Sequence, residues 1–214
     1  DAAKERKPLG FVAVAAGEGT AKILKSLGVD VVVSGGQTMN PSTKDLLDAA
    51  ESVNADAVII LPNNSNIILA AESACTLCEK DCGVVPTKSV PQSFAALFAA
   101  DPDAPLESNV EAMTEAAAEV KTGEVTVAIK DSKDAEGNPI KDGDVIGIAD
   151  GSIEAVGSSV ADVVMDLLGK MDAGEADTMT FLAGEDLSDQ VRDALQERIE
   201  DAYPDLELDM QDGG

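Results

Sequence analysis

LGFVAVAAGEGTAKILKSLGVDVVVSGGQTMNPST, residues 9–43, decides the fold. Residues 9–15 (LGFVAVA) form a short apolar run without alternation, the pattern of a strand buried on both faces. Gly17 and Gly19 follow, and then AKILKSLG (21–28), a helix closed by Gly28. VDVVVSG (29–35) is a second buried strand, and GGQTMNPST (35–43) is a loop. The same order then repeats. KDLLDAAESVN (44–54) is an amphipathic helix with Ser42 or Thr43 as its N-cap. ADAVIILP (55–62) is the third strand, NNSN (63–66) its loop and IILAAESACTLCEK (67–80) the third helix. GVVPT (83–87) is a fourth, shorter strand, followed by helices over 91–100 and 107–121. Strands and helices that alternate four times through short connections predict a parallel sheet with helices on both faces.

The pattern changes near Thr122–Gly123. EVTVAIKDS (124–132) alternates like a half-exposed strand, and AEGNPIKDGD (135–144) is rich in turn residues. VIGIADGSIEAVGS (145–158) reads as a hairpin turning at Asp150–Gly151. A helix over 160–171, a strand over 178–184, a helix over 184–204 and a strand over 206–210 complete the chain. The expected class is therefore α/β. A parallel-sheet lobe (1–121) is followed by a smaller lobe (122–214) of mixed strand directions.

Composition removes several functions. The 214 residues carry 41 acids and 15 bases, a formal charge of -26, which repels phosphate backbones. The aromatics are Phe11, Phe94, Phe98, Phe181 and Tyr203, too few for a base-stacking platform. No apolar run approaches the length of a membrane-spanning helix, and no basic amphipathic stretch suits an anionic bilayer. The chain has no histidine, so imidazole catalysis and Ser-His-Asp or Cys-His sets are excluded. Residues 122–214 hold 24 of the 41 acids. They read either as a solvated surface or as a surface that steers a basic partner. No secretory signal opens the chain, and its first residue, Asp1, reads as the start of a fragment.

In a parallel sheet, ligands bind beyond the carboxyl ends of the strands. The four loops expected there are Gly17-Glu18-Gly19-Thr20, Gly35–Thr43, Pro62–Asn66 and Pro86–Gln92. They are rich in amides, hydroxyls and glycines, which donate to anionic oxygens, and Lys88 adds a positive charge. Ordinary turn and capping chemistry is the competing reading. GEGT is not a dinucleotide fingerprint and no Walker sequence occurs, so no nucleotide site is inferred. Cys75, Cys78 and Cys82 fall along one face if the third helix runs through them. Three ligands without a fourth make a weak metal site, and reduced thiols packed on a helix face are the favoured reading, consistent with a cytoplasm. No metal site is assigned.

GFVAVAAGEGTAKILKSLGVDVVVSGGQTMNPST, ADAVIILPNNSNIILAAESA and VVPTKSVPQSFAAL together resemble the C-terminal domain of the bacterial fatty acid kinase A subunit. This family is also known as dihydroxyacetone-kinase-like or Dak-phosphatase. VKTGEVTVAIKDS, IKDGDVIGI and FLAGEDLS resemble its second lobe, so the likeness covers nearly the whole chain. The resemblance implies a protein with an N-terminal nucleotide-binding kinase domain, a middle domain and this domain. It also implies a fatty-acid-binding partner of the DegV-like family, whose acyl carboxylate the kinase domain phosphorylates with ATP and magnesium. The acyl phosphate then feeds phospholipid synthesis. ATP and magnesium belong to the kinase domain, so no cofactor and no catalytic residue is expected here. The family commonly continues past Gly213–Gly214 with a Tyr- and Pro-containing tail, and the three cysteines are not a family feature. The ketone-holding histidine of the dihydroxyacetone kinase substrate subunit has no counterpart.

The primary expectation is therefore a cytoplasmic partner-docking domain. Glu18, Gln37, Thr38, Asn40, Ser42, Thr43, Asn63, Asn64, Asn66, Thr87, Lys88 and Gln92 are its candidate contacts. The alternatives are a pocket for a phosphorylated or carboxylated metabolite, and a homodimerisation domain.

Overall fold

A computed structural model describes residues 6–35 and 40–214. The chain divides into two units. The first comprises Asp1–Val120 together with Asp212–Gly214, and the second Lys121–Gln211.

In the first unit, β1 (Lys7–Ala15), β2 (Val31–Ser34), β3 (Ala55–Leu61) and β4 (Asp81–Val84) form one parallel sheet in the order β2-β1-β3-β4. The helices are α1 (Glu18–Ser26), α2 (Thr43–Ser52), α3 (Ile68–Leu77), α4 (Val90–Phe98) and α5 (Leu106–Ala118). Side chains alternate across a strand, so each continuous apolar run supplies two cores. Leu9, Phe11, Ala13, Ile59 and Leu61 pack with Leu24 of α1, Leu97 of α4 and Met113 of α5. Val12, Val14, Val58 and Ile60 pack on the opposite face with Leu46 of α2 and Ala71 and Ala74 of α3. Each fully buried Ile or Leu here contributes about 1.5–3 kcal/mol by leaving water. The run in 55–62 has no alternation because both faces of the sheet are covered.

Local chemistry sets the helix starts. Ser42 caps α2: its hydroxyl accepts from Asp45 N, and the Asp45 carboxylate accepts from Ser42 N at 3.0 Å. Ser89 caps α4, with Pro91 in the first turn. Hydrogen bonds from the Ser42 backbone and then from its side chain hold the Asp45 carboxyl below its ordinary pKa. A depressed folded pKa gives stability that is complete above the unfolded value and is lost as pH falls through the folded one. Thermal melts of Asp45→Asn should accordingly lie below wild type at pH 7, and the gap should close toward pH 3. Ser42→Ala should cost about 1 kcal/mol at neutral pH.

The third helix departs from expectation. Sequence predicts it over 67–80, with three cysteines on one face, but α3 stops at Leu77 and Cys78 turns extended. Strand β4 begins at Asp81, earlier than the expected 83, because Asp81 pairs with Ala57 in the parallel register. Cys82 is therefore a strand residue, and it forms a disulfide with Cys75. Cys78 alone is free, so the expectation of three reduced thiols on one helix is corrected. The short loop between α3 and β4 is held by Lys80, whose ammonium donates to the carbonyls of Ala50, Glu51 and Val53 at the end of α2.

In the second unit the elements are β5 (Gly123–Val127), β6 (Ser132–Lys133), β7 (Pro139–Ile140), β8 (Val145–Ala149), β9 (Ser152–Gly157), α6 (Val160–Lys170), β10 (Thr178–Ala183), α7 (Asp189–Ala202) and β11 (Glu207–Asp212). Strands β5-β8-β9 form an antiparallel sheet with Val163 and Leu167 of α6 packed against it. The hairpin turns at Asp150–Gly151, as the sequence reading expects, with φ of 50° and 81°. Positive φ at both positions matches the twist of the flanking strands. Leu195 and Ile199 of α7 anchor a second cluster with Phe181 of β10 and Leu208 of β11. Among the described residues no helix is long and apolar enough to cross a membrane.

Candidate functional site

All four strands of the first sheet are parallel, so the loops after Ala15, Ser34, Leu61 and Val84 leave at one edge. β1 leads through α1 to β2 on one side, while β3 leads through α3 to β4 on the other. The direction of winding reverses between the neighbours β1 and β3. Such a reversal opens a crevice at the strand ends, where doubly wound folds bind their ligands.

Asn63 stands at that point. Its backbone is left-handed, with φ 57°. Its Nδ2 donates to Val14 O at 3.0 Å, tying the end of β3 to the end of β1. Its backbone N–H donates to Thr87 Oγ1 at 3.0 Å, tying the same turn to the loop after β4. Thr87 is fully buried. The remaining polar atom, Asn63 Oδ1, is buried and has no hydrogen-bond partner among the described residues. A buried acceptor without a donor is costly.

The loop after β1 is filled by the chain itself. Gly213 O accepts from Thr20 N at 3.2 Å and from Thr20 Oγ1 at 2.9 Å. A Cβ on Gly17 would lie 2.0 Å from Gly213 O, and a Cβ on Gly19 would lie 2.1 Å from Asp212 O. The two glycines thus let the backbone of residues 212–213 cross the start of α1 at close range. The Gly-Glu-Gly-Thr sequence seats a backbone carbonyl where the sequence reading placed a ligand oxygen. Local sequence shows that a close approach is needed there, but not that the partner lies 193 positions away.

The other candidates divide into two groups. Ser42 and Thr43 start α2, the Ser42 hydroxyl being spent on capping. Asn64 Oδ1 accepts from Asn66 N, closing the turn after β3. Gln92 Oε1 accepts from Lys88 N at 2.8 Å, and its Nε2 donates to Val120 O. Together with Asn63 and Thr87, these residues build the edge. Glu18, Asn40, Asn66 and Lys88 are exposed on it. The Lys88 ammonium has no ion-pair partner among the described residues, so it is a free cation on an acidic chain. Gln37 and Thr38 lie outside the described residues. Among the described residues no group of three or more cysteine, aspartate or glutamate side chains is arranged to hold a metal ion.

Fold and edge together define a doubly wound α/β domain with a polar crevice at its topological switch point, followed by a smaller α/β unit. Comparison with known proteins gives the family. The chain belongs to the FakA-like C-terminal family, that of the C-terminal domain of FakA-type fatty acid kinase proteins, whose model matches residues 10–214. It is 42% identical over 208 residues to protein YloV of Bacillus subtilis (strain 168), covering 97% of this chain and 37% of that protein. An uncharacterized protein of Staphylococcus haemolyticus (strain JCSC1435) is 40% identical over 204 residues, again with 37% of its length covered. The chain therefore spans little more than a third of the curated relatives it matches. Among solved structures, a Streptococcus pneumoniae fatty acid kinase B3 protein loaded with linoleic acid has a TM-score of 0.60. That match covers 96% of this chain and 92% of the other at 13% identity, so it shows a shared fold.

Proposed function

We propose that this chain is the partner-docking domain of a fatty acid kinase, and that its loop edge receives a fatty-acid-binding protein of the DegV-like type. One observation carries the reading. The edge keeps polar groups that the fold does not use: exposed Asn40, Asn66 and Lys88, and the buried, unpaired Asn63 Oδ1. Membership of the FakA-like C-terminal family supports the assignment to a fatty acid kinase. Lys88 suits an anionic group on the partner or its bound acyl carboxylate. The acidic second unit suits a basic partner face, so association should be fast and salt-sensitive. In this reading ATP and magnesium act in the nucleotide-binding part of the longer protein, and these 214 residues bind rather than catalyse.

Calorimetric titration with the lipid-loaded fatty-acid-binding protein from the same genome tests the proposal. Lys88→Glu combined with Asn66→Ala should weaken binding about tenfold or more, equivalent to about 1.4 kcal/mol. Raising the salt from about 50 to about 300 mM should also weaken wild-type binding. Unchanged affinity in the double variant, with a wild-type melting temperature, would overturn the assignment of the edge.

A further inference from the structure

We propose that Cys75, Cys78 and Cys82 form an internal thiol–disulfide exchange site, in which the Cys78 thiolate displaces Cys82 from its bond to Cys75. Three observations carry this. The Cys75–Cys82 disulfide joins the last turn of α3 to β4. The free thiol, Cys78, lies inside the loop that this disulfide closes, half-buried at the end of the helix. All three cysteines pack against the same apolar cluster of the sheet, while Lys80 pins the loop between them to the end of α2. Packing of small residues accounts for the burial. It does not account for a bond between two of them with the third enclosed.

The step balances without an external oxidant. Cys78 loses its proton to solvent, and its sulfur attacks Cys75 Sγ. The Cys75–Cys78 bond forms as the Cys75–Cys82 bond breaks, and Cys82 leaves as a thiolate and takes up a proton. One disulfide and one thiol stand on each side. The structural difference is large. Cys75–Cys82 clips α3 to β4, whereas Cys75–Cys78 stays within the end of α3. The opposite ends of the same two elements carry the turn of Asn63 and the loop of Thr87, joined by the Asn63 N–H to Thr87 Oγ1 bond. Exchange at one end of the sheet therefore changes the bracing of the two loops at the other.

The test is disulfide mapping on the full chain held at about pH 8.5, near the ordinary thiol pKa, without reductant. Samples are acid-quenched, their free thiols alkylated, and the chain cleaved with trypsin. Cleavage after Lys80 separates Cys82 from Cys75 and Cys78, and fragmentation of the linked peptides identifies the bonded sulfurs. The expected result is two linked species that interconvert with time, Cys75–Cys82 and Cys75–Cys78. Cys78→Ser should give Cys75–Cys82 alone, and Cys82→Ser should give Cys75–Cys78. Either of two results overturns the proposal: a single Cys75–Cys82 species at all times with Cys78 fully alkylated, or no intramolecular disulfide in the wild-type chain.

Discussion

Gly19→Ala should destabilise the protein even though alanine favours a helix. Gly19 lies in the first turn of α1, where helix propensity alone predicts a gain of up to about 1 kcal/mol. Against this, the new Cβ would meet Asp212 O at 2.1 Å, a backbone atom that cannot rotate away. Either residues 212–214 leave their seat, with loss of both Thr20–Gly213 hydrogen bonds, or the turn shifts. The expected net loss is about 1–3 kcal/mol, the usual cost of overpacking. Urea unfolding measures it, and the sign decides which effect wins. A chain truncated before Asp212 supplies the control, because there Gly19→Ala should become neutral or stabilising. Gly17→Ala should stay destabilising in both backgrounds, since φ 89° strains any residue with a Cβ whether or not the seat is filled. A stabilising Gly19→Ala in the intact chain would mean that residues 212–214 do not occupy the turn in solution.

Asn63→Ala should cost about 2–4 kcal/mol, the sum of a lost buried hydrogen bond and a strained backbone. Its Nδ2 is the donor to Val14 O, and Val14 is almost wholly buried. Removing the donor leaves a buried carbonyl unpaired, at about 1–3 kcal/mol. Placing alanine at φ 57° adds about 1 kcal/mol. Asn63→Gly removes the same hydrogen bond without the backbone strain, so it should lose about 1 kcal/mol less. Asn64→Ala, which breaks only the exposed bond to Asn66 N, should change stability by no more than about 0.5 kcal/mol. Equal losses for Asn63→Gly and Asn63→Ala in urea melts would remove the strain from this account. Because Asn63 holds the edge together, its variants confound a binding assay. Asn66 and Lys88 are therefore the positions at which to probe the partner.

The sheet is readable because its strands are short apolar runs punctuated by glycine, proline and asparagine, and because Ala55–Leu61 and Lys7–Ala15 hide both faces. The loop edge is readable for the same reason, since parallel strands must send their loops one way. What the sequence leaves open is how each edge residue is used. Asparagine, threonine and glutamine serve turns and ligands alike, and the loop sequence alone does not separate Asn63 and Thr87, which brace the edge, from Asn66 and Lys88, which face water. The end of α3 escapes a sequence reading because Thr76 to Lys80 suits a helix by composition. The helix stops there because β4 must start at Asp81 to stay in register with Ala57. The filling of the Gly17–Gly19 turn is invisible for a further reason: its partner lies far along the chain and contributes only backbone.

That last contact has a consequence for the order in which the protein is made. Residues 7–118 supply every strand and helix of the first unit, so this part of the chain can collapse early during synthesis. Its β1–α1 turn nevertheless waits for a carbonyl 193 residues downstream. A nascent chain can bury both faces of its sheet while the Thr20 donors still face solvent, and Asp212–Gly214 can seat only after the whole second unit has been translated. Closing a contact over so long a separation is slow compared with forming the local units on either side. Docking of these three residues should be among the last events of folding.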